Sequence, residues 1–195
     1  VVAGTITGAL AEITENFDPD GKSSPFRGGG IMLDRVAWTY PLEPKSRAKA
    51  RTLADVVIPE EDVPEEFFIS AAQRKKWERL KDKKSEERTH KSGYKWMYSE
   101  GKMVFPDPLT KPSRTVLTGE GGTSPSRFKH AIETESGRLR RLTPIELERL
   151  NGFPDDWTKW MGEGREMSDG RRAFCMGNAL VVGVVEKIGK VLAED

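Results

Sequence analysis

The stretch that most constrains this chain lies near its end, from Arg140 to Trp157, reading Arg-Arg-Leu-Thr-Pro-Ile-Glu-Leu-Glu-Arg-Leu-Asn-Gly-Phe-Pro-Asp-Asp-Trp. Thr143 is an N-cap, Pro144 occupies the first helical position where its missing N–H costs nothing, and Glu146 completes a capping box. Leu142 and Leu147 stand at the two positions of a hydrophobic staple. Gly152 supplies a left-handed exit, and Pro154 stops the helix from resuming. The spacing therefore predicts a short helix, fixed at both ends. Arg140 and Arg141 in front of it are expected to act as scaffolding.

Those residues also carry a resemblance. Arg140-Arg141-Leu142-Thr143-Pro144, Glu146, Arg149-Leu150, Gly152-Phe153-Pro154-Asp155 and Trp157 resemble the ninth motif of the cytosine-5 DNA methyltransferase family. Met176-Gly177-Asn178-Ala179-Leu180-Val181-Val182, continuing through Val185 and Ile188, resembles the tenth motif, at the family's usual distance. The resemblance implies the C-terminal half of such an enzyme. The expected fold class is α+β: a small strand-and-loop target-recognition domain, plus terminal elements that complete an α/β, Rossmann-like methyltransferase domain. Residues 1–16 then end the catalytic sheet, 17–139 form the recognition domain, and 140–195 return to the catalytic domain.

In the family, the turn before the last helix touches the methyl donor, S-adenosylmethionine, and Gly177, Asn178 and Ala179 match those positions. A helix beginning near Asn178 would present N–H groups suited to the donor's carboxylate. Leu180, Val181, Val184, Val185, Ile188, Val191 and Leu192 form an apolar stripe on that helix, too wide to stand without a partner. The resemblance implies that the catalytic domain's sheet is that partner.

Charge is unevenly distributed. Residues 71–141 carry 18 Lys and Arg against 9 Asp and Glu, a net +9 between acidic flanks. A basic centre of this kind suits a polyanion, and duplex DNA is the expected partner. Within it, residues 71–83 read as a helix with Trp77 and Leu80 on one face. Its cations fit either a solvated face or phosphate contact, and Lys81, Lys83, Lys84 and Arg88 are the better phosphate candidates. Tyr94, Trp96 and Tyr98 alternate beside lysines, as on a strand with one aromatic face that packs either on bases and sugars or in the domain's own core.

Residues 111–129 are the most informative part of the centre. Arg114–Thr118 is expected as a strand, Gly119–Gly122 as a flexible turn and Thr123–Lys129 as a polar return. Glycine lets backbone approach a surface closely, while Thr, Ser and Arg donate to phosphates and base edges. The order resembles the family's recognition region, with Thr115-Val116 at the place where a Thr and an aliphatic residue precede the recognition loop. Arg114, Thr115, Thr118, Gly121, Gly122, Ser124, Arg127 and Lys129 are the candidate DNA contacts.

The first residues, Val1 to Thr5, read as the end of a strand, and a chain starting there without Met is expected to be cut or processed. A helix over Gly8–Asn16, a turn at Asp18–Gly21, a loop over Pro25–Gly30, a short edge strand within Ile31–Thr39, a helix starting at Arg51 and a solvated acidic connection at 60–66 complete the reading.

The family's Pro-Cys nucleophile and its Glu-Asn-Val motif are absent from the sequence. Cys175 follows Phe174 and is read as a packed residue. With one Cys and two His, no zinc site can be assembled. No residue is assigned to catalysis or to a metal. The single Cys fits a cytoplasmic setting, the family resemblance implies a bacterial or phage-encoded protein, and no apolar run is long enough to span a membrane. The chain is thus expected to supply target recognition and to complete the cofactor pocket, inert without a catalytic half in the same polypeptide or in a separate subunit. The alternative is a stand-alone DNA-binding module. Restriction-modification, orphan and phage roles stay open.

Overall fold

The computed structural model describes residues 2–5, 28–34, 36–41 and 50–194. The chain divides into two units, residues 1–49 and 50–195. In the first, β1 (Val2–Thr5) and β2 (Gly28–Leu33) flank β3 (Val36–Pro41) in an antiparallel sheet of order β1-β3-β2. Val2 faces Thr39, and Leu33 faces Val36. Asp34, at φ +48°, makes the reversal between β2 and β3. The expected single edge strand is therefore a hairpin, and Gly28–Gly30, expected as loop, belong to β2. The helix over 8–16 and the turn at 18–21 fall outside the described residues.

The second unit contains α1 (Ala71–Lys81), β4 (Lys84–Thr89), β5 (Lys95–Glu100), β6 (Ile132–Glu133), β7 (Leu139–Arg140), α2 (Pro144–Asn151), α3 (Asp169–Asn178) and α4 (Val182–Ala193). The helix expected from Arg51 is only a 3-10 turn, Leu53–Asp55, whose N–H groups at Leu53 and Ala54 bond to the carbonyls of Lys111 and Leu109. Backbone pairing outside the turn thus ends the helix before it begins.

α2 forms as its sequence dictates. Thr143 Oγ1 accepts the Glu146 N–H, the Glu146 carboxylate accepts the Thr143 N–H at 2.7 Å, and Gly152 exits at φ +84°. Leu142 and Leu147 enter one core with Leu53, Ile132, Ala173 and Met176, and Cys175 packs against its edge. A second core gathers Ile69, Trp77, Ala131 and Leu139 beside Phe105, with the Trp77 and Phe105 rings stacked at 6.4 Å. The expected boundary at 139/140 falls inside this shared packing.

α3 was not legible as a helix, and its presence moves the last turn. Gly177 and Asn178 close α3, and α4 starts only at Val182. All described side chains of α4 are exposed: Leu180 just before it is 74% exposed, Ile188 56% and Leu192 71%. Among the described residues, no helix is long and apolar enough to cross a membrane.

Candidate nucleic-acid interface

Glu146 is the hub of the scaffold. Beyond its cap, it accepts Arg140 Nη1 and Nη2 at 2.9 and 2.7 Å and the Ile58 N–H at 2.9 Å. Arg140 and Glu146 are fully buried, so α2, the β6–β7 pair and the segment after Leu53 are tied to one carboxylate. Arg141 donates to the carbonyls of Gly122 and Glu66 at 2.8 and 2.6 Å, and burial lowers its pKa. Glu148 and Arg172, 3.0 Å apart, join α2 to α3, and Asn151 adds a bond to the Met176 carbonyl. Arg140 and Arg141 thus brace the elements around α2 through buried hydrogen bonds.

The segment from Asp107 to His130 is held by a polar network instead of a strand ladder. Arg114 forks onto Asp107 at 2.9 and 3.0 Å and donates to the carbonyls of Phe128 and Lys129. Burial would raise the Asp107 pKa, but the Arg114 fork and the Ala131 N–H outweigh it and hold the carboxyl below its ordinary value. The buried His130 accepts the Arg114 N–H on Nε2, which places its proton on Nδ1, 2.8 Å from the Glu120 carboxylate. Arg114–Thr118 does not pair as the expected strand, and the N–H and side chain of Arg114 are taken up by this network.

The candidate DNA contacts separate into two groups. Arg127 and Lys129 are buried. Arg127 donates to the carbonyls of Leu80 and Asp82 at 2.9 Å and to that of Gly101, and lies 3.3 Å from Glu100. Lys129 Nζ donates to the carbonyls of Gly122 and Ser124 at 3.0 and 2.8 Å, and burial, then the nearby Arg141, lowers its pKa. These two cations, with Arg114, face inward onto carbonyls and carboxylates, which does not fit the expectation that they grip phosphates. Thr115, Thr118, Gly122 and Ser124 are exposed and Gly121 half-exposed, on one loop that Lys129 and Arg141 hold from beneath.

Two glycines bring that loop against α3. A Cβ on Gly177 would lie 2.2 Å from the Thr118 nitrogen, and one on Gly121 would lie 2.8 Å from the Gly170 Cα. Gly177 thus has a packing reason to be glycine, independent of any ligand.

The cofactor expectation changes accordingly. Gly177 and Asn178 sit at the C-terminal end of α3, where N–H groups are used by the helix and the free groups are carbonyls. The Ala179 N–H bonds to the Met176 carbonyl at 3.3 Å, and Asn178 Nδ2 to the Phe174 carbonyl at 3.0 Å. A carboxylate finds no donor cradle in this turn, so the three residues do not fit as a helix-start site for the methionine end of S-adenosylmethionine. Among the described residues, no cluster of His, Cys, Asp or Glu is arranged to hold a metal.

Sequence reasoning missed β4 and its pairing with β5, in which Lys84 faces Glu100 and Thr89 faces Lys95. Lys-Ser-Glu-Glu-Arg-Thr lacks the apolar alternation of a strand, and the signal was the Ser92-Gly93 reversal, with Gly93 at φ +84°. The aromatics of this hairpin are not a core. Tyr94 is 68% and Trp96 38% exposed, their rings stacked at 6.3 Å, and Arg88 lies 3.5 Å over the half-buried Tyr98 ring.

The polar, internally braced segment of residues 107–130 is thus joined to a helical end that carries both motifs. The family model for C-5 cytosine-specific DNA methylase matches residues 43–194, and the chain belongs to that family. It is similar to the type II methyltransferase M.Sau3AI of Staphylococcus aureus, with 40% identity over 184 residues that cover 94% of this chain and 40% of that protein. The chain thus spans about two fifths of its relative's length. No solved structure matches it.

Proposed function

We propose that the chain is the target-recognition and closing part of a DNA (cytosine-5-)-methyltransferase, acting on cytosine within a specific duplex sequence. The methyl donor, S-adenosylmethionine, is held mainly by a catalytic half that carries the Pro-Cys nucleophile, in the same polypeptide or in another. Alone, this chain is catalytically inert. Its loop residues Thr115, Thr118, Gly121, Gly122 and Ser124 approach DNA, with Arg114, Arg127 and Lys129 supporting them from within. Gly177, Asn178 and Ala179 border the cofactor pocket without supplying a donor cradle for the cofactor's carboxylate.

The observation that carries this reading is the bare apolar face of α4. Each Val, Leu or Ile of that face contributes about 1.5–3 kcal/mol when fully buried, so several together favour docking on the catalytic half strongly. Sedimentation of the chain mixed with a family catalytic half tests it. A stable complex is expected, lost on Val185→Asp with Ile188→Asp. Full duplex binding with no complex under any condition would instead favour a stand-alone DNA-binding module.

A further inference from the structure

The β4–β5 hairpin is a two-stranded ribbon with both faces open to solvent: five of six residues in β4 and four of six in β5 are exposed. A lone hairpin is marginally stable in water, and this one buries almost nothing of its own. Its base is nevertheless fixed firmly. The buried Arg127 donates to the carbonyls of Leu80, Asp82 and Gly101 and pairs with Glu100, gripping both strand ends, while the Met103 N–H bonds to the Lys81 carbonyl at 2.8 Å. A rigid foot under an uncovered ribbon aims the ribbon outward.

Its charges are sorted along its length. From Arg88 to Ser99 the sequence holds Arg88, Lys91 and Lys95 and no acidic residue, whereas Glu86, Glu87 and Glu100 lie toward the base. Lys91 is exposed with no partner among the described residues, and Lys95 is 63% exposed and tied only to Glu87 at 3.0 Å. Tyr94, Trp96 and Met97 are exposed on the same hairpin end. The pattern complements a polyanion with flat apolar surfaces between its charges. Strands about 4.8 Å apart fit the roughly 12 Å major groove of duplex DNA.

We propose that the β4–β5 hairpin enters the major groove of duplex DNA, Lys91 and Lys95 lying on phosphates while Tyr94 and Trp96 meet base edges or sugars. This rests on the recognition reading above and names its leading element, which lies outside the loop of residues 114–129.

The test is binding of a fluorescein-labelled, mixed-sequence duplex to the full chain over a salt series, compared with Lys91→Ala/Lys95→Ala and with Tyr94→Ala/Trp96→Ala. Removing two phosphate contacts should flatten the log–log salt slope by about 1.8. Removing the aromatics should weaken binding at least about fivefold, with the salt slope kept. Unchanged far-UV circular dichroism and melting would show that the fold is intact, since these side chains lie outside both cores. Iodouracil in the duplex should crosslink to Trp96. Wild-type binding that both variants retain in full would overturn the hairpin's role while leaving recognition standing. No duplex binding by the wild type would overturn both. Loss of association with a catalytic half, with DNA binding intact, would make the hairpin a protein-docking element and likewise overturn the proposal.

Discussion

Replacing Glu146 by Ala removes the acceptor of four hydrogen bonds, from Arg140 Nη1 and Nη2, the Thr143 N–H and the Ile58 N–H. Arg140 is 2% exposed and its Nε already has no partner, so the guanidinium, left with the Arg141 carbonyl 3.1 Å from Nη1, can neither reach water nor replace the lost carboxylate without movement. Breaking a buried pair from one side costs about 3–5 kcal/mol, and losing half of the capping box falls within that figure. For a domain whose stability is about 5–15 kcal/mol, this is a large fraction. In urea, with a slope of about 2 kcal/mol/M, the midpoint should fall by roughly 2 M at unchanged slope. The double variant Arg140→Met/Glu146→Ala should recover much of the loss, because it removes the stranded charge together with its partner. A midpoint drop below about 0.5 M for Glu146→Ala would refute the reasoning.

Gly177→Ala would press a methyl group into the Thr118 backbone, which cannot yield as a side chain can, and should cost about 1–3 kcal/mol or more by thermal melting. Asp107 has its pKa lowered in the folded state, so its stabilisation is fully present above the ordinary carboxylate value and is lost as pH falls through the depressed one. Asp107→Asn should therefore be less stable at neutral pH and should lose less stability than wild type on acidification below about pH 4, measured by urea midpoints across pH. Arg127→Ala should leave the Leu80, Asp82 and Gly101 carbonyls without their donor and lower stability by about 1–3 kcal/mol, whereas a phosphate-gripping arginine would instead lower the DNA salt slope by about 1.

What the sequence made legible was governed by local chemistry. The cap, staple and left-handed exit of α2 are written in consecutive residues, and α1 follows from Trp77 and Leu80 on a run of helix formers. Three features were hidden because their causes are distant in sequence. The 114–118 segment alternates like a strand, yet Asp107 and His130 claim Arg114 and leave no ladder. Arg127 and Lys129 have the composition of phosphate ligands, and only burial reveals that their donors close on carbonyls. α3 is masked by a polar sequence, since Arg172 is buried through Glu148 and Asp156 and not through apolar packing. The shift of Gly177 from a helix start to a helix end follows from that one missed helix. The family assignment does not depend on these helix boundaries, because its motifs are read as residues in order.

The most direct test of the account is transfer of labelled methyl from S-adenosylmethionine to duplex DNA, by this chain alone and after mixing with a catalytic half that carries the Pro-Cys motif. The account predicts no transfer by the chain alone and sequence-dependent transfer by the mixture. Transfer by the chain alone, or none by a mixture that forms a stable complex on DNA, would contradict it.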